Sequence, residues 1–225
     1  MPNSPTWPEI SRNECLVIPV GSFEQHGPHL PLDTDTQIAS HLCEQAISRI
    51  DNVVVAPPLS ITASGEHSGF PGTLSIGNNA FTTVIVELVR SCDWATGVIL
   101  VHGHGGNFEA VQQATAVLNS EHRNIASWWP HIPGADAHAG HTETSLMLAI
   151  NPNLVRIEKL DVGNVQTMIE IQRDLQTHGV RAVSANGILG DARSATAEHG
   201  IELLAKLSEN LHTFILSAQQ QWSRS

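Results

Sequence analysis

The sequence predicts an α/β fold, a mostly parallel sheet with helices on both faces, and three observations carry that reading. Short apolar runs alternate with segments of helical period along the whole chain, and strands alternating with helices imply a parallel sheet covered on both sides. One run, Gly97-Val-Ile-Leu-Val101, is apolar without a break, as expected of a strand buried on both faces. Histidine pairs at glycines follow several of the runs, and ligands in such sheets sit beyond the carboxyl ends of the strands.

Taken in order, residues 15–20 form a first strand. Residues 35–50 read as a helix, with Ile38, Ala39, Leu42, Ala46, Ile47 and Ile50 spaced by three and four. Residues 53–56 form a second strand, stopped by Pro57-Pro58. Residues 59–77 are a Gly/Ser-rich loop. Asn78 or Asn79 caps a helix running to about residue 94. Residues 97–101 are the third strand, 107–123 a helix and 125–129 a fourth strand. A loop leads to His141, followed by a helix over 142–150. The part after Asn151 is less regular until a long closing helix over 195–221.

The 225 residues show no internal repeat and no low-complexity linker, so residues 1–225 read as one domain. The formal charge of −11 argues against nucleic acid and against an anionic membrane surface as partners. No apolar run approaches the roughly 20 residues that cross a bilayer. Residues 1–12 show no signal-peptide pattern, and Cys15, Cys43 and Cys92 are scattered. The expectation is therefore a cytoplasmic protein with reduced thiols.

The thirteen histidines cluster, and imidazole is both a common metal ligand and a proton carrier near neutral pH. Glu24 and His26 are two apart in an extended turn, so both side chains can face one pocket. Asp33 and Asp35 stand at the start of a helix, where a carboxylate is favoured by the dipole; capping is the alternative role for each. His102-Gly103-His104-Gly105-Gly106-Asn107 follows the third strand without a dinucleotide fingerprint or a phosphate-loop lysine, which favours metal over phosphate. Glu143, after His138 and His141, falls in the first turn of a helix, where capping is again the alternative. Mixed His and carboxylate donors suit Zn²⁺, Mn²⁺ or Fe²⁺. Two such ions about 4 Å apart can activate a water and polarise an amide carbonyl.

The stretch Pro19-Val-Gly-Ser-Phe-Glu24-Gln-His26-Gly-Pro-His-Leu-Pro-Leu-Asp-Thr-Asp35 closely resembles the signature of the creatininase family of amidohydrolases. Gly103-His104-Gly-Gly-Asn107 and His138-Ala-Gly-His-Thr-Glu143-Thr-Ser resemble its later motifs, in the same order. Ala63-Ser-Gly-Glu-His67, Gly187-Ile-Leu-Gly-Asp191 and Ala195-Thr-Ala197 are similar to the mycofactocin-system branch, whose substrate is a modified precursor peptide.

The resemblance implies a three-layer α/β/α sandwich, two divalent metal ions per subunit (Zn²⁺, Fe²⁺ or Mn²⁺), and a homo-oligomer, hexamer or octamer. It implies Glu24, His26, Asp35 and His104 as metal ligands, with Asp35 bridging, and His138 as acid/base. Creatininase itself has a further glutamate ligand two residues after the histidine matching His104, where this chain has Gly106; Glu143 is the expected replacement. Creatininase also has a tryptophan four residues before the histidine matching His138, where this chain has Gly134. Both departures point away from creatinine.

The implied reaction is release of a C-terminal Val–Tyr-derived dipeptide from the precursor, by attack of a metal-bridging hydroxide on the amide carbonyl. A cyclic amide or formamide hydrolase is the alternative within the same chemistry, and a catalytically silent metal-binding scaffold the alternative of another class. The blander expectations place His29 within its loop or behind the metal ligands, and His102 behind the ligands or packed. They put His141 against substrate, and Glu66 and His67 in a loop over the pocket. Trp128 and Trp129 are expected in the core or at subunit contacts, and His41, His122, His178, His199 and His212 on the solvated surface.

Overall fold

The computed structural model describes residues 6–224. Within them a four-stranded sheet is parallel throughout, ordered β2-β1-β3-β4. The strands are β1 Cys15–Val20, β2 Val53–Val55, β3 Gly97–His102 and β4 Ile125–Trp128. The helices in chain order are α1 Thr34–Ile47, α2 Asn78–Arg90, α3 Phe108–Ser120, α4 His141–Ile150, α5 Met168–His178, α6 Val180–Val183 and α7 Ala197–Trp222.

Alternation along the central strands divides the core into two layers, because successive side chains point to opposite faces. Cys15, Val17, Ile99 and Val101 pack with Leu42 and Ala46 of α1, Met147 of α4, and Leu207, Leu211 and Ile215 of α7. Leu16, Ile18, Val20, Val98 and Leu100 pack with Phe81 and Ile85 of α2 and Val111 and Leu118 of α3. The result is the expected three-layer α/β/α sandwich. Each fully buried Leu or Ile contributes roughly 1.5–3 kcal/mol, so both layers hold the strand ends that carry the site.

Helix α7 comes unusually close to α4. A Cβ on Gly200 would collide with the Ser145 carbonyl oxygen. A mid-helix glycine costs about 1 kcal/mol, and here it permits that approach.

Several boundaries differ from the sequence reading. Neither Asn78 nor Asn79 caps α2: Gly77, at φ 76°, is the N-cap, and the Asn78 amide donates to Glu109 instead. The same helix ends at Arg90. The stretch after Asn151 contains α5, unread in the sequence although Met168, Ile171 and Leu175 are spaced by three and four; only Ile171 of them is buried. Its capping box, Thr167 with Glu170, is a legible start signal nonetheless.

Candidate metal centre

The turns after β1 and β3, the first turns of α1 and α4, and the loop after β2 meet at one end of the sheet. Gly103 N donates to the Val20 carbonyl, which closes the two central turns on each other. At this place Glu24, His26, Asp35, His104, His138 and Glu143 converge, all buried apart from the partly exposed Glu143.

Asp35 sits at the centre. Its Oδ1 is 3.0 Å from His26 Nε2, and its Oδ2 is 3.3 Å from His104 Nδ1. Ser22 Oγ donates to Oδ2 at 2.7 Å and fixes the carboxylate. On the His104 side, Glu24 Oε1 is 3.0 Å from His104 Nδ1. On the His26 side, Glu143 Oε2 is 3.8 Å from His26 Nε2. Glu24–Asp35–His104 and His26–Asp35–Glu143 are thus two cation-sized groups that share one carboxylate.

The donor set fits divalent metal. Both Glu24 oxygens are buried; Oε1 meets only the imidazole nitrogens of His104 and His67 and Oε2 has no partner, which is costly for a carboxylate unless a cation faces it. Backbone carbonyls, which only accept, fix the neutral imidazoles. His26 Nδ1 faces the Glu24 carbonyl at 3.1 Å and His104 Nε2 the Ala63 carbonyl at 3.0 Å, so with an ion bound His26 Nε2 and His104 Nδ1 would turn their lone pairs toward it. His138 Nε2 likewise faces the Gln25 carbonyl at 2.9 Å. Its Nδ1 is left as the basic nitrogen, 4.0 Å from both Glu24 and Glu143.

The Gln25 amide completes this assignment. Its two hydrogens go to His67 Nδ1 at 2.9 Å and the Gly187 carbonyl at 3.0 Å. The His67 proton then sits on Nε2, 3.3 Å from Glu24 Oε1.

The charges are strongly coupled. Burial pushes the Asp35 carboxyl up, but His26 and His104 outweigh it and hold it well below the usual carboxylate range. Burial opposes protonation of His26, yet Asp35 beside it raises that imidazole to about 10. Burial holds His138 well below the ordinary imidazole value, aided by His26 and His67. Burial pushes Glu143 up to about 7 against the pull of His26.

Glu24 and His26 do face one pocket, as their i, i+2 spacing suggested: together with His138 they make one cation-sized group, while His26 meets Asp35 Oδ1 and Glu24 meets His104 beside Asp35 Oδ2. Asp33 stands at the N-cap of α1 without capping through its side chain, and accepts from Gln37 at 2.9 Å instead. His29 Nε2 pairs with Thr144 Oγ1 at 2.8 Å, away from the cluster's ligand atoms. His102 is packed: it stacks on Trp129 with ring centroids 3.8 Å apart, and neither of its nitrogens has a partner. Trp128 lies in the core and bonds Asn210.

His141 belongs to a separate cavity, with Nε2 2.7 Å from His199 Nδ1. His199 is therefore paired rather than free on the surface. His212 bonds the Ala46 carbonyl, and His178 lines the main cavity.

Glu66 and His67 are the residues whose part in the cluster the sequence did not foretell. They form a short 3-10 turn, Gly65–His67, after β2. The signal was present: a Glu-His pair beside glycine after a strand is the pattern that marked the other clusters. Together with Glu24 they make a further cation-sized group. A cavity of about 1000 Å³ opens over the centre, lined by Glu66, His104, His138 and Glu143 and by Met168 and Leu175 of α5.

Buried His/carboxylate groups that share the Asp35 carboxylate at the end of a parallel sheet form a candidate metal centre of the kind a metal-dependent hydrolase uses. A family model described as creatinine amidohydrolase (creatininase) matches residues 3–215, and the chain belongs to the creatininase family. Among curated relatives, a mycofactocin precursor peptide peptidase of Mycolicibacterium smegmatis is 47% identical over 85% of this chain and 80% of its own. The protein of the same description from Mycobacterium tuberculosis is 42% identical over 89% of this chain and 84% of its own. A creatinine amidohydrolase of Pseudomonas putida is 28% identical, over 87% and 88%. A solved creatininase structure superposes with a TM-score of 0.72 at 23% identity, covering 90% of this chain and 89% of the other, which supports the fold.

Proposed function

We propose that this chain is a metal-dependent peptidase that cleaves the C-terminal Val–Tyr-derived dipeptide from the modified mycofactocin precursor peptide. The observation that carries the chemistry is the Asp35 carboxylate, each oxygen of which meets a different histidine. Glu24, Asp35 and His104 would hold one divalent ion, and His26, Asp35 and Glu143 the other. Bound there, the ions supply an activated water and a polarised amide carbonyl.

The chain's own groups do the rest. Gln25, through its carbonyl, holds His138 with Nδ1 toward the cluster. His138 takes a proton at Nδ1 and returns it to the leaving amine, as a group that is not itself a ligand should. Met168 and Leu175 offer apolar surface to a Val- and Tyr-derived moiety, and a cavity of about 1000 Å³ is ample for a peptide end. The substrate rests on the peptidase relatives at 47% and 42% identity.

Incubation with modified precursor peptide and, separately, with creatinine, followed by mass spectrometry, tests the reading. Dipeptide release that stops with chelator and returns with Zn²⁺, Mn²⁺ or Fe²⁺ supports it. Turnover of creatinine alone would assign the chain to cyclic amides instead, and a fully loaded protein inert to both would be a scaffold.

Assembly as a hexamer or octamer in the cytoplasm completes the proposal. Exposed Ile157, Val165 and Ile169 offer apolar contact surface, and Cys15, Cys43 and Cys92 are free thiols. Light scattering on the purified protein reads the subunit number.

A further inference from the structure

Gly106 is the one place where a side chain expected at the centre is missing, and the space is not empty. A Cβ built on Gly106 would collide with Glu66 Oε1 and with His104 Nε2, so it falls between the two. Glu66 Oε1 lies 3.3 Å from His104 Nε2, on the ring atom opposite the one that faces Glu24 and Asp35. The loop and the turn are laced together around this contact. His104 Nε2 faces the Ala63 carbonyl at 3.0 Å, and Ala63 N donates to Asn107 Oδ1 at 3.1 Å. The far side of the loop is anchored by Arg181, whose Nη1 donates to the Gly69 carbonyl at 2.6 Å.

We infer that Glu66 is a positioning residue for the metal centre: its carboxylate backs His104 through Nε2, and Gly106 is the gap that lets it do so. A carboxylate behind a ligating imidazole fixes the ring and raises its basicity, and such partners are worth about 10–100-fold in metal affinity. The contact also loads the Glu66 side chain onto the cavity wall, so the loop after β2 and the turn after β3 act as one unit on the Glu24–Asp35–His104 ion.

This inference rests on the two-metal reading, and its test separates the two. Zn²⁺ affinity and stoichiometry of the full chain are measured by chelator competition, and the Co²⁺-substituted protein by its visible absorption. Glu66→Ala should weaken one of two ions about 10–100-fold and shift the Co²⁺ bands, with Glu66→Asp recovering part of the affinity. Gly106→Ala should weaken the same ion with Glu66 still in place, and should cost less in the Glu66→Ala background, where the collision with the carboxylate is gone. Far-UV circular dichroism confirms that each variant is folded. Two ions bound with unchanged affinity and spectrum in Glu66→Ala would overturn the inference. Unchanged metal content in Asp35→Ala would overturn the two-metal reading itself.

Discussion

The two sides of Asp35 are built differently. On the Glu24–His104 side every group rides on a turn directly after β1 or β3 or in the first turn of α1, and all are buried and laced by Ser22 and Ala63. On the His26 side, Glu143 belongs to α4, reached through the long loop after β4, and its side chain keeps 21% of its exposure. Its carboxyl is nonetheless enclosed enough to be pushed up to about 7. In the proposed centre one shared carboxylate therefore joins a fully buried group of donors to a more exposed one, and the more exposed one adjoins His138, the proposed proton carrier.

Asp35→Ala should do the most damage, since both sides lose their common carboxylate. Metal content should fall toward zero and activity by at least about a thousandfold, several kcal/mol of charge stabilisation. Loss of only one ion would show that Asp35 is not shared. His138→Ala should cost about 10²–10⁴ in kcat with both ions retained, as measured by metal analysis beside kinetics.

Acidification should then split the sides. Without a bound ion Glu143 takes up a proton below about pH 7, so in that range protons compete with an ion for this carboxylate. The His26-side ion should therefore leave first as pH falls from 8 to 6, by up to about tenfold in affinity per pH unit for each proton taken up. Equilibrium dialysis reads the stoichiometry, and Glu143→Gln should bind that ion weakly at every pH. Ions lost together would make the sides equivalent.

Ser22→Ala removes the hydrogen bond to Asp35 Oδ2 and should weaken binding by about tenfold. The smallest expected effect is that of Gly200→Ala. It forces α7 off α4 at a cost of about 1–3 kcal/mol in stability, read by thermal melting, and any change in metal affinity should appear on the Glu143 side alone.

Much of this was legible beforehand. The core strands and α1, α3, α4 and α7 lie within a few residues of their sequence-derived bounds, because apolar periodicity is a local property that burial merely enforces. His104 and Asp35 were recognisable for the same reason: glycine turns and helix starts after strands are local signs of a ligand-bearing edge. Helix α5 went unread although Met168, Ile171 and Leu175 are spaced by three and four, because the helix is short, the rest of it is mostly polar and only Ile171 is buried. Glu66 escaped because its partner His104 is 38 positions away in the sequence and the loop between has no period.

The sequence by itself determined the layered α/β order, the positions of the turns, and the kinds of donor they carry, since these follow from spacing and residue chemistry along a short stretch of chain. Only the tertiary structure decided which donors face which. It set His26 against one oxygen of Asp35 and His104 against the other, fixed each imidazole through a particular carbonyl, and brought Glu66 into the gap at Gly106. Those choices depend on how distant turns are held against each other by the packed sheet, and no local pattern encodes that.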